Sequence, residues 1–187
     1  ETDSASPGRW RTAQAPYLRD VMDAFNETTV QDLTFCAGTQ IGKTSAEQNM
    51  IGFAVAEVVG SMMIVYPTEK LAKFTSEKRL QPLFNLSPAL REKFDERHSK
   101  DLELTFSAMY IALVGANSSS DLSSRPARYV IFDEIDKFPR WSGAEAGPLE
   151  LAAERTKTFY NKKIVKVSTP TLKTGNIWQA WLNADVQ

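Results

Sequence analysis

The chain holds a single cysteine and a single histidine among its 187 residues. Cys36 alone cannot close an internal disulfide. It reads as a small buried thiol in the strand that feeds the loop after it. His98 has no second histidine to work with, so a zinc site or a Cys–His pair has little support. It lies between Arg97 and Ser99 in a polar stretch and receives no role. No apolar run approaches the roughly 20 residues needed to cross a bilayer. The opening residues, Glu1 to Gly8, lack the basic-then-apolar pattern of a secretory signal. Neither charge dominates, with 22 Lys and Arg against 23 Asp and Glu and a net charge of −1. Any contact with nucleic acid must therefore come from local patches. Arg155, Lys157, Lys162, Lys163 and Lys166 form one, and Lys70, Lys73, Lys78 and Arg79 a second. A solvated helix face explains both about as well as a nucleic-acid groove. These absences leave a soluble, cytoplasmic protein as the expectation, long enough for one domain with its own core.

What the chain does have is alternation of element types. Trp10 to Phe25 reads as a helix with Tyr17, Val21, Met22 and Phe25 on one stripe. Leu33 to Cys36 reads as a short buried strand, Thr44 to Val58 as a helix, and Met62 to Tyr66 as a buried strand stopped by Pro67. Thr68 is placed to cap a helix running to about Phe84, and Pro88 to Phe94 suits a further helical piece. Leu102 to Phe106 and Tyr110 to Val114 alternate apolar and polar residues around a tight turn, as a hairpin does. Val130 to Phe132 and Ile164 to Val167 are further strands; Pro148 to Phe159 and Asn176 to Leu182 are helices. Strands alternating with helices, several of the strands continuously apolar, predict a mostly parallel sheet covered by helices on both faces.

The chemistry concentrates at three strand ends. The first is Ala37-Gly38-Thr39-Gln40-Ile41-Gly42-Lys43-Thr44, between a strand and a helix. Gly42 removes the side chain where backbone must approach a phosphate, and successive N–H groups with the helix start form an anion nest. Lys43 would reach the β- and γ-phosphates, and the Thr44 hydroxyl would ligate Mg²⁺. The usual first glycine is Ala37 here, with Gly38 one place later. The second is Asp133-Glu134 at the end of an apolar strand. Asp133 is placed to hold the Mg²⁺ shell, and Glu134 to polarise the attacking water as general base. Asp136 reads as a loop or capping carboxylate. The third is Ser168-Thr169-Pro170-Thr171, small hydroxyl residues at a strand end that could sense the γ-phosphate. Arg125 and Arg128 precede the acidic strand, and Arg125, in a Ser/Pro-rich loop, is the candidate arginine finger, in cis or toward a neighbour. Trp10, Gln14 and Tyr17 could serve an adenine by amide pairing and stacking.

With these residues assembled, nearly the whole chain resembles the ATPase half of the large terminase subunit of tailed bacteriophages, in the lambda-like group. Pro7-Gly8-Arg9-Trp10 with Gln14 and Pro16 is similar to that family's adenine-side lead-in. Residues 37–44 resemble its phosphate loop, and Tyr66-Pro67-Thr68, Ala72 and Lys78-Arg79-Leu80 the segment after its second strand. Gly115-Ala116-Asn117-Ser118, Ser124-Arg125-Pro126 and Phe132-Asp133-Glu134-Ile135-Asp136 continue the match, and Ser168-Thr169-Pro170 resembles its coupling motif. The resemblance implies a P-loop NTPase fold of the ASCE type that uses ATP and Mg²⁺. It implies a motor moving double-stranded DNA into a procapsid in the infected host's cytoplasm. Portal and small terminase subunit would be partners, and the motor would work as a homo-oligomeric ring. The family's C-terminal nuclease domain is expected to be absent from this chain. Other readings of the same core are a helicase-like or remodelling ATPase and a nucleotide-dependent binding module.

Overall fold

A computed structural model describes residue 8, residues 10–139 and residues 146–185. Pro7 and Arg9 of the lead-in lie outside the described residues. The elements in chain order are α1 (Arg19–Asn26), β1 (Asp32–Cys36), α2 (Lys43–Ala56), β2 (Met62–Tyr66), α3 (Glu69–Thr75), α4 (Gln81–Leu86), α5 (Pro88–Arg91), β3 (Glu103–Thr105), β4 (Tyr110–Gly115), α6 (Ser119–Leu122), β5 (Tyr129–Asp133), α7 (Pro148–Glu154), β6 (Lys163–Ser168) and α8 (Asn176–Leu182).

Strand alternation dictates the layers. Met62, Ile64 and Tyr66 of β2 face one core, with Phe25, Met50, Ile51, Ala72 and Phe84 from the helices on that side. Met63 and Val65 face the other, with Leu122, Ala152 and Ile177. All five β2 residues are buried, which is why the segment reads as an unbroken apolar run. The six strands form one sheet in the order β1-β6-β5-β2-β4-β3. Every pairing is parallel except the β3–β4 hairpin at the edge. The expected mostly parallel, two-faced sheet is the observed one.

That order matters for function. β6 lies between β1 and β5, so the loops leaving all three emerge side by side at one edge. In open parallel sheets that edge, where chain connections diverge, is where ligands bind.

Three element expectations differ from the structure. The helix expected from Trp10 is instead two short 3₁₀ turns, Thr12–Gln14 and Pro16–Leu18, before α1. Pro16 lacks an amide hydrogen and pushes Ala15 out of the helical region, to φ −143°. Tyr17 consequently leaves the apolar stripe and is 58% exposed, while Leu18 is the buried anchor. The helix capped by Thr68, whose Oγ1 accepts from the Leu71 amide at 3.2 Å, widens into a π-helical turn over Ser76–Leu80 before α4. The helix from Pro148 stops at Glu154, not Phe159. No described helix is long and apolar enough to cross a membrane.

Candidate active site

The β1 loop begins with the Ala37 amide donating to the Ser168 carbonyl at 3.2 Å, which extends the β1–β6 ladder by one bond. It ends at Gly42, whose φ of +88° precedes the first turn of α2. Only glycine takes that conformation at low cost, and a β-carbon there would lie 2.9 Å from Leu18 Cδ1. Gln40 also has positive φ, +60°. A β-carbon on Gly38 would meet nothing within 4 Å, so this stretch of backbone faces open space. Exposed loop amides beside a helix start make an anion cradle.

Lys43 is buried beneath the loop. Its Nζ donates to the carbonyls of Gly38 at 2.6 Å and Ala37 at 3.4 Å, and to Thr169 Oγ1 at 2.8 Å. The sequence-predicted lysine and the residue after β6 are thus brought into direct contact. Ser168 behaves differently. It is fully buried, and its hydroxyl donates to the Thr169 carbonyl and accepts from the Asp136 amide, each at 3.3 Å. Thr169, not Ser168, presents its hydroxyl to the lysine.

The acidic pair sits at the end of β5. Asp133 pairs in register with Val167 of β6. Burial, and then the neighbouring Glu134 charge, push the Asp133 carboxyl up to about 6, against the pull of Arg79, Lys137 and Lys43. Glu134 leaves the strand in a left-handed conformation, φ 56° and ψ 48°. Such strain in a non-glycine residue concentrates at functional sites. Its Oε2 lies 3.3 Å from Lys137 Nζ as an ion pair, yet it is shielded from solvent and accepts no well-directed hydrogen bond. Asp136 is the loop and capping carboxylate expected: it accepts from the Thr171 and Ile177 amides, both at 2.8 Å.

Of the residues expected to serve an adenine, Tyr17 reaches the loop, its hydroxyl donating to the Ile41 carbonyl at 3.1 Å. Gln14 is exposed on the preceding 3₁₀ turn. Cys36 is half-buried, and burial with the nearby Asp136 charge raises its thiol pKa against the pull of Lys43.

Arg125 does not come to the crevice. It precedes β5, at the edge of the sheet opposite Asp133, where it pairs with Glu103 and lies 5.6 Å from the Tyr110 ring centroid. Of the two alternatives, in cis or toward a neighbour, this placement weighs against the first, since the length of β5 intervenes. Arg128 shares that edge and is structural: its Nη1 donates to the Val58 and Val59 carbonyls at 2.7 and 3.0 Å.

One residue of the site escaped the sequence reading. Glu47, one turn beyond Lys43 on α2, is buried beside Asp133, Arg79 and Glu134. Burial first, and the Asp133 charge second, hold its carboxyl well above the ordinary range. Arg79 comes from the π-helical turn, a distortion that recurs at functional sites. The signal was an acidic residue four positions after the lysine, hence on the same helix face.

Relatives agree with this architecture. No curated protein matches the chain in sequence. Among solved structures, the large terminase of bacteriophage HK97 superposes with a TM-score of 0.75 at 14% identity, over 96% of this chain and 37% of that one. A point mutant of the large terminase ATPase domain of Thermus phage P74-26 gives 0.63 at 20% identity, over 87% and 68%. The large terminase of a thermophilic bacteriophage, solved in complex with ADP, gives 0.58 at 14% identity, over 81% and 38%. The chain thus spans little more than a third of the HK97 protein's length. The family described as phage terminase large subunit gpA, ATPase domain, matches residues 4–187. The match covers all but the first three residues of the chain, and the chain belongs to the terminase large subunit gpA family as its ATPase domain.

Proposed function

We propose that this domain hydrolyses ATP at the edge formed by β1, β6 and β5 and that, within a full-length large terminase, the cycle drives double-stranded viral DNA into a procapsid. One observation carries the catalytic part. The Lys43 loop, Thr169 and the solvent-shielded Glu134 carboxylate, ion-paired with Lys137, lie at neighbouring strand ends. The triphosphate tail would lie across residues 37–44, facing the open side of Gly38. Lys43 would exchange its carbonyl partners for the β- and γ-phosphates. Water attacks the γ-phosphorus as the bond to the β–γ bridging oxygen breaks. ADP leaves with that electron pair, and the water proton passes to the Glu134 carboxylate.

The residues fit Mg²⁺ as cofactor. Among the described residues no three His, Cys, Asp or Glu gather into a metal cage. Mg²⁺ wants less: one or two carboxylates plus phosphate oxygens and water. Thr44 and Asp133 would hold it, and when bound it neutralises charge on the transferring phosphoryl group. Its charge also favours the ionised form of Asp133, which burial disfavours.

Membership of the terminase family supports double-stranded DNA, the portal-bearing procapsid and the small terminase subunit as partners in the host cytoplasm. It also supports a homo-oligomeric ring on the portal. Arg125 would then act on a neighbour's nucleotide, since its own site lies across the sheet. The test is phosphate release from ATP by wild type and by Glu134→Gln. The variant should keep nucleotide binding and lose turnover by about 10²-fold or more. Wild-type turnover in the variant removes Glu134 as the base.

A further inference from the structure

Asp136 does more than cap the start of α8. Its Oδ2 accepts from both the amide of Thr171, at 2.8 Å, and the Thr171 hydroxyl, at 2.9 Å. Its Oδ1 accepts from the Ile177 amide at 2.8 Å. Its own amide donates to Ser168 Oγ at 3.3 Å, and next to it the Ile135 carbonyl accepts from Asn176 Nδ2 at 3.1 Å. The fit leaves no room at Gly175, where a β-carbon would fall 2.4 Å from Asp136 Oδ2. Five hydrogen bonds therefore fasten the turn Ile135–Lys137 to the last residue of β6 and the chain that follows it.

Each half of that junction carries a reacting or sensing group. Glu134 is the left-handed residue that opens the Ile135–Lys137 turn, so its direction depends on how the turn is held. Thr169 stands two residues before Thr171 and touches Lys43. We propose that Asp136 is a positioning residue. It makes the Glu134 turn and the Thr169–Thr171 segment one rigid body, so that the occupancy sensed at Lys43 and the placement of the general base change together. The inference rests on the hydrolytic role proposed for Glu134. A plain capping carboxylate would stabilise α8 without affecting turnover, and the two roles separate by experiment.

Measured well below the unfolding temperature, Asp136→Ala should lower kcat about a hundredfold, the usual consequence of misplacing a reacting group by about an ångström. The Kd for ADP should stay within about threefold, since the variant touches no phosphate-loop residue. Thr171→Val removes only the hydroxyl donor and should cost about fivefold in kcat, the worth of one hydrogen bond. It also keeps the proposal testable if Asp136→Ala does not fold. Adding Asp136→Ala to Glu134→Gln should produce no further loss, because the group being positioned is already gone. Near wild-type kcat in folded Asp136→Ala or in Thr171→Val overturns the proposal. So does a full hundredfold loss on top of Glu134→Gln. If Glu134→Gln itself turns over normally, the base assignment has failed; if it is inactive while Asp136→Ala is normal, only the positioning role has.

Discussion

Asp133 is held at a cost in the nucleotide-free protein, and replacing it with asparagine should make the domain more stable. Its carboxyl pKa rises from 3.8 to about 6 on folding, chiefly through burial and then through Glu134. A difference of about 2 pKa units, at about 1.4 kcal/mol each, corresponds to about 3 kcal/mol. The sign follows from proton binding. The folded protein holds this proton more tightly than the unfolded chain does. The penalty for ionising Asp133 is therefore full above about pH 6, shrinks as pH falls, and is gone below the unfolded value. Asp133→Asn keeps the shape and removes the charge, although the amide has its own desolvation cost. Taking about half of the penalty as recoverable, and 2–4 °C per kcal/mol for a domain of this size, Tm at pH 7.5 should rise by about 3–6 °C. Thermal melts from pH 5 to 8 without nucleotide test this. The difference between variant and wild type should be largest at high pH and fall to about half by pH 5, closing fully only below the unfolded value. A variant no more stable than wild type at pH 7.5, with a parallel pH profile, refutes the account of Asp133. With Mg²⁺ and ADP the order should reverse, because only the wild type gains the metal's charge.

The placement of three other residues sets further outcomes. Gly42→Ala combines a positive φ with a β-carbon 2.9 Å from Leu18 Cδ1, and should lose about 1–3 kcal/mol of stability in chemical denaturation. Gly38→Ala meets nothing within 4 Å and should change stability by under about 0.5 kcal/mol, yet weaken ADP binding in calorimetry by filling the space that faces the phosphates. Arg125→Ala removes an exposed pair with Glu103 at the far edge of the sheet. It should leave the ATPase rate at low protein concentration unchanged and abolish any part of the specific activity that rises with concentration; a loss at every concentration contradicts a role toward a neighbour.

Much of this was legible in the sequence for physical reasons. β2 and β5 are buried on both faces, so their apolar runs are uninterrupted, and Pro67 and the acidic pair mark where they end. The loop after β1 stands out because Gly42 takes positive φ and Lys43 follows it at the start of α2. Local pattern failed where tertiary contact decided. Tyr17 has the spacing of a core residue, but the Pro16 break rotates it outward to the Ile41 carbonyl. Arg125 lies eight positions before Asp133, and an extended β5 carries that separation across the whole sheet. Glu47 looks like an ordinary polar residue of a mixed helix until Asp133 and Arg79 arrive from other elements. Nothing short of the fold could show that Asp136 reaches Thr171 and Ile177.

The most direct test of the central claim is a crystal structure of the Glu134→Gln variant with ATP and Mg²⁺. The account predicts the triphosphate along residues 37–44, Lys43 Nζ released from the Gly38 carbonyl onto the phosphates, and the γ-phosphate on the side of position 134. A nucleotide bound elsewhere, or a Lys43 still donating to Gly38 and Thr169 beneath a bound triphosphate, would contradict it.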